Sequence, residues 1–168
     1  SEVCFKKSYI KDSTNDLIKM VTGLIKGTET LSYFKEAGLV LSLAKKYNIG
    51  GTVEIQRYLE SCLKTVGSTS TPPQILGSVG YFLRVSKSCP NNFDVFQAAL
   101  SNKLDGYISS GNLNAVVDIS IGLNSLKSNQ VDWIKRQVEA KLDSLALERI
   151  SKLVILFSNE DSYISKLE

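Results

Sequence analysis

The sequence predicts an all-α protein, built as antiparallel helix-pair repeats in an α-solenoid-like array of about eight or nine helices. Three observations carry that expectation. Apolar residues recur at steps of three and four, most clearly in Leu113-Val116-Val117-Ile119-Ile121-Leu123-Leu126, Trp133-Ile134-Val138-Leu142-Leu145 and Ile150-Leu153-Val154-Phe157. Short polar or Gly/Pro breaks such as Lys127-Ser128-Asn129-Gln130 separate these stretches. The pattern itself recurs along the chain, and a helix pair that cannot bury its apolar face alone buries it by stacking on the next copy.

Composition bounds the problem. A chain of 168 residues is long enough to bury about 70% of the surface that its unfolded form exposes. Its 43% apolar and 22% charged content is globular, and no run approaches the roughly 20 apolar residues that cross a bilayer, so no membrane insertion is expected. The formal net charge of +3 allows an anionic partner without demanding one. Cys4, Cys62 and Cys89 have no short spacing and the chain has no histidine, which excludes Cys/His metal sites and points to a reduced compartment. Ten asparagines without one Asn-x-Ser/Thr sequon lean the same way. Neither an apolar signal core nor an Arg-rich transit segment opens the chain at Ser1, and because a processed mature form would have lost either one, this stretch gives no address.

In chain order, Ser1 to Thr14 reads as an extended lead-in or a frayed helix, with Asp12, Ser13 and Thr14 as caps for Leu17-Ile18-Val21-Leu24-Ile25. Gly27 stops that helix, and Thr28 or Thr30 caps the next, Leu31 to Tyr47, which Asn48-Ile49-Gly50-Gly51 ends. Thr52 caps a third helix whose buried face is Ile55, Tyr58, Leu59, Cys62, Leu63 and Val66. Gly67-Ser68-Thr69-Ser70-Thr71-Pro72-Pro73 is the longest loop signal, read as an inter-repeat loop rather than a domain boundary because the pattern resumes beyond it. Pro73 suits a helical first turn. Ile75-Val79-Phe82-Leu83-Val85 then ends before Ser88-Cys89-Pro90-Asn91-Asn92, and Phe93 to Ser109 is its partner, closed by Gly111.

Three segments align as Gly38 to Lys45, Gly80 to Lys87 and Ser120 to Lys127. Each has a small residue, a leucine three positions later and a terminal lysine, and the following helices finish at Leu63, Leu104 and Leu142. The period is therefore roughly 40 residues. One domain over 1–168 with units at 31–71, 72–111 and 112–145 and a partial unit at 146–168 follows from this register. Gly38, Gly80 and Ser120 would let a neighbouring backbone come close.

The unit Trp133-Ile134 through Leu142, Leu145, Glu148, Ile150, Leu153 and Phe157 resembles the degenerate helical-pair repeats of octotricopeptide proteins and of the repeat regions in FAST-kinase and RAP-domain proteins. The Pro-Pro-Pro-Glu-Trp signature of octotricopeptide repeats is absent, with Val131-Asp132-Trp133 in its place. The resemblance implies action on RNA in a mitochondrion or another organellar matrix, with the cytoplasm as the alternative. It carries no base-reading residue onto a numbered position.

No catalytic constellation is present. Lack of histidine removes Ser-His-Asp and Cys-His arrangements, and Gly23-Leu24-Ile25-Lys26-Gly27 and Gly50-Gly51 lack the Gly-Lys-Ser/Thr ending of a phosphate loop. Glu139 and Asp143, one turn apart, read as a solvated face. The expectation is an interaction protein that is not an enzyme and needs no cofactor or metal.

Its partners are RNA or protein subunits of a larger assembly. Lys45, Lys87 and Lys127 recur at one repeat position, with Lys64, Lys103 and Lys141 as a second row, and such rows could follow a phosphate backbone. A lysine at a helix C-terminus also complements the helix dipole. Tyr33, Tyr47, Tyr58, Tyr81 and Tyr107 are base-stacking or packing residues. The run Leu153-Val154-Ile155-Leu156-Phe157 is followed by a short stretch, Ser158 to Glu168, with Tyr163, Ile164 and Leu167 as apolar residues. Leu153, Leu156 and Phe157 are therefore the partner-interface candidates, through which the chain would self-associate or meet a partner.

Overall fold

The computed structural model describes residues 2–28, 30–68 and 70–158, and among them every regular element is helical. Eight α-helices follow one another: α1 (Glu2–Ile25), α2 (Phe34–Lys46), α3 (Val53–Ser68), α4 (Pro73–Ser86), α5 (Phe93–Ser109), α6 (Leu113–Ser120), α7 (Ser128–Lys141) and α8 (Leu147–Ser158), with 3-10 turns at Leu31–Tyr33 and Leu142–Ser144. The chain divides into two compact units, Ser1–Thr65 with Val85–Phe93, and Val66–Arg84 with Asp94–Glu168.

In the first unit, α1 lays Thr14, Ile18, Val21 and Ile25 along one buried stripe at helical spacing and packs on α2. The expected break at Asp12 to Thr14 does not occur. Thr14 is buried within the helix and its hydroxyl donates to the Ile10 carbonyl at 2.7 Å, so the residue read as a cap bonds back into its own helix. In α2, Phe34, Ala37, Gly38, Val40, Leu41 and Ala44 are buried. The helix ends where Asn48 turns left-handed (φ 54°), Ile49 N donating to Ala44 O at 2.8 Å and Asn48 N to Lys45 O at 3.3 Å. Those two bonds make a Schellman cap with asparagine in the place glycine usually takes.

Helix α3 buries Ile55, Tyr58, Leu59, Cys62 and Leu63. It runs on through Gly67 and Ser68, which were expected to open a loop. Residue 69 of that loop lies outside the described residues. Beyond it, Pro73 takes the first position of α4, where a missing N–H costs no helical bond.

In the second unit, α5 closes on a Schellman cap at Gly111 (φ 71°), with Asn112 N donating to Tyr107 O and Gly111 N to Ile108 O, both at 3.0 Å. The same Asn112 caps α6, its side chain accepting from Ala115 N at 3.1 Å. Every residue of α6 from Ala115 to Ser120 is buried, as expected for a helix covered on all sides.

The predicted continuation of this helix to Leu126 is wrong. After Ser120 the chain leaves the helix, because other groups take its backbone: Arg84 Nη2 donates to Ile121 O at 2.6 Å, Gln97 Nε2 donates to Gly122 O at 2.8 Å, and Gln97 Oε1 accepts from Asn124 N at 2.8 Å. Lys127 consequently stands at the N-cap position of α7, its backbone N donating to Gln130 Oε1 at 2.9 Å, and does not end a helix, so the third aligned segment differs structurally from the first two.

Helix α8 packs on α6 through buried Leu153 and Leu156. Asp118 of α6, 3% exposed, accepts from Arg149 Nη2 at 3.1 Å and Lys152 Nζ at 2.9 Å, which satisfies a carboxylate that could not remain in the core unpaired. The expected terminal stretch lies outside the described residues beyond Ser158.

Candidate functional site

The six lysines of the expected phosphate rows occupy different environments. In the first unit, Lys45 is in the last turn of α2 and its ammonium donates to Cys89 O at 3.3 Å, Lys64 is exposed on α3, and Lys87 follows α4 with a left-handed backbone (φ 55°). In the second unit, Lys127 pairs with Asp105 at 3.5 Å, Lys103 is half-buried on α5, and Lys141 is exposed in the last turn of α7. Lys45 and Lys141 are the two that complement a helix C-terminus. The tyrosines are mixed as well. Tyr58 is buried, Tyr47 is exposed beside Lys46 and Tyr81 lies against Arg84, both at cation–π distance.

The partner-interface candidates also divide. Leu153 and Leu156 are 4% and 3% exposed, so they are core residues of the second unit and offer no free surface, while Phe157 is half-buried. Val154, one position along, is the exposed apolar residue of the run at 64%. The helical period turns Leu153 and Leu156 onto one face and Val154 onto the other.

A groove of about 740 Å³ lies between α1 and α3 of the first unit. It is lined on α1 by Ile18, Lys19, Thr22, Gly23, Ile25 and Lys26, and on α3 by Glu54, Arg57, Tyr58 and Ser61. Positions 19, 22, 23 and 26, and 54, 57, 58 and 61, each follow the spacing of one helix face. Ile18, Ile25 and Tyr58 are buried and form its floor; Lys19, Lys26, Glu54, Arg57 and Ser61 are exposed and form its rim. Three cations against one carboxylate leave this lining positive, and no ion pair joins any of the four to another described residue.

Tyr58 is fixed at the floor. Its hydroxyl donates to Thr30 O and accepts from Tyr33 N at 3.2 Å, which ties α3 to the turn that opens α2. Burial, followed by the neighbouring Cys62, pushes the phenol up to about 12. Burial also pushes the Cys62 thiol up, against a smaller opposing hydrogen bond from Tyr58, so the thiolate that would act as nucleophile is disfavoured. Cys62 is buried, as the sequence predicts. Among the described residues no group of three or more His, Cys, Asp or Glu side chains is placed to hold a metal, and no helix is long and apolar enough to cross a membrane.

Sequence reasoning missed the groove and the Asp118 cluster. The signal for the first was present in Lys19, Gly23 and Lys26 at one helical face, but it becomes a site only when the face of a second helix stands opposite. Asp118 sits inside an apolar run, and an acid in that setting requires buried cations nearby. No family model, no curated protein and no solved structure matches the chain significantly.

Proposed function

We propose that this chain is a non-catalytic interaction protein, its helices stacked as α-solenoid-like repeats, that associates with single-stranded RNA within an organellar ribonucleoprotein assembly. The observation that carries the reading is the distribution of charge. The first unit contains eleven Lys and Arg against seven Asp and Glu, whereas the second contains nine against ten. Lys45, Lys64 and Lys87 all belong to the basic unit and all are exposed. Solvent-facing ammonium groups gain from neutralising phosphates and releasing their counterions.

The test is fluorescence anisotropy of a labelled oligouridine with the full chain across a salt series. Replacing Lys45, Lys64 and Lys87 together by Glu is expected to weaken binding and to flatten the log K against log salt slope by about 0.7 per lost phosphate contact. Failure of the unaltered chain to bind at low salt overturns the reading. A second reading, a structural subunit that binds protein without touching RNA, is favoured by the apolar floor of the α1–α3 groove.

A further inference from the structure

We infer that the α1–α3 groove docks an acidic amphipathic helix from a partner protein. This proposal does not depend on RNA binding elsewhere on the chain. The first support is register: Lys19, Thr22, Gly23 and Lys26 on one side and Glu54, Arg57 and Ser61 on the other present two rails at helical spacing. The first and last residues of each are seven steps apart, about 10.5 Å or two helical turns. A third helix lying between such rails places its own i, i+3, i+4 and i+7 side chains over the floor.

The second support is the chemistry of that floor. Ile18 and Ile25 are aliphatic, and Tyr58 is 6% exposed with its hydroxyl committed to Thr30 and Tyr33. Apolar side chains fit there. A nucleobase would need an open aromatic face, and none lines the groove. Gly23 keeps the middle of the α1 rail low: a side chain built there meets nothing within 4 Å, so the space above it is open.

The third support is charge complementarity. Lys19, Lys26 and Arg57 flank the floor from both rails, with Glu54 as the one carboxylate in the lining. Lys19 and Lys26 stand seven residues apart on α1, about 10.5 Å along its axis, with Arg57 on the opposite rail, which suits carboxylates distributed along a helix better than a single small anion. The matching occupant carries an apolar stripe bordered by Asp or Glu. Electrostatic matching of this kind sets the partner and its register more than the total affinity.

The experiment selects from a display library of amphipathic helices of about 14 residues, four turns, against the full chain, and measures the selected peptides and a labelled oligouridine in parallel by anisotropy. Selected peptides are expected to carry the apolar stripe with flanking acids. They are expected to lose tenfold or more in affinity to Gly23→Trp, which fills the groove without changing its charge, and to the Lys26→Glu/Arg57→Glu pair. Oligouridine binding should change less than twofold with Gly23→Trp. Circular dichroism establishes that each variant is folded. A selection that yields no acidic helix, or acidic helices indifferent to both variants, overturns the proposal. So does a Gly23→Trp variant that loses oligouridine while keeping the peptides. Absence of oligouridine binding by the unaltered chain would sink the RNA reading alone.

Discussion

The Cβ that an alanine would add at Gly77 falls 1.7 Å from the carbonyl oxygen of Asp118, so α4 and α6 meet backbone to backbone. One turn along α4, a Cβ at Gly80 would fall 2.4 Å from Gly122 O, and a Cβ at Gly122 would in turn fall 2.8 Å from Gly77 O. Because the obstructing atoms are backbone, no rotamer change can relieve the overlap. Gly77→Ala is therefore expected to destabilise the protein by about 3 kcal/mol, at the upper end of overpacking costs. Gly23→Ala, in an open helical position, should instead stabilise it by about 0.5–1 kcal/mol through helix propensity. Urea denaturation of the two variants checks the opposite signs; equal effects would remove the close crossing.

Asp118 is the charge on which two cations of α8 depend. Removing it as Asp118→Ala leaves Arg149 without its carboxylate and Lys152, whose side chain is only 11% exposed, with Glu148 at 3.3 Å as its remaining partner. The expected cost is about 3 kcal/mol, the lower end for breaking a buried pair because Arg149 keeps some solvent. Replacing all three residues by apolar ones of similar size should recover much of the loss. The comparison of single and triple variants in urea denaturation decides it.

Tyr58 makes stability fall at alkaline pH. Its phenol titrates at about 12 in the folded chain and at about 10 when unfolded. The folded form therefore holds its proton more tightly, and the associated stability is complete below about pH 10 and is lost as pH rises toward about 12. The raised Cys62 thiol acts in the same direction. Tyr58→Phe is expected to cost about 1–2 kcal/mol at neutral pH, since Thr30 O and Tyr33 N lose their partner. It should also flatten the alkaline loss, which chemical denaturation at stepped pH measures.

The three thiols should separate by exposure. Cys4 is exposed, Cys89 intermediate and Cys62 buried with its thiol pushed up. A thiol-modifying reagent under native conditions is expected to label Cys4 first and Cys62 only at the rate of unfolding. Mass spectrometry of the timed products locates the label, and early labelling of Cys62 would refute its burial.

At the C-terminal run, Leu153→Lys and Leu156→Lys should each cost about 4 kcal/mol or more, because each places a charge in the core of the second unit. Val154→Lys should leave the helical signal intact. If Leu153→Lys remains folded while abolishing self-association, Leu153 is an interface residue after all. Circular dichroism paired with sedimentation distinguishes these outcomes.

The all-helical character of the described residues and several helix boundaries were legible in the chain because local chemistry sets them. Asn48 and Gly111 can adopt the left-handed turn, Asn112 offers a capping oxygen, Pro73 accepts a first-turn position, and Phe93 to Ser109 lies between such signals. These are preferences of a few adjacent residues, so sequence alone expresses them. The end of α6 was not legible: Ile121, Leu123 and Leu126 keep the helical spacing, yet Arg84 and Gln97 from distant helices take the backbone bonds that a further turn would need. Likewise Thr14 reads as a cap and packs as core, and Leu153 reads as an unpaired surface and is covered by α6. The α1–α3 groove exists only because two helix faces separated by about 30 residues of chain stand opposite each other. Periodicity fixes which residues share a face, but the neighbour that each face meets, and the backbone groups that neighbour claims, are settled by tertiary contacts that no local pattern contains.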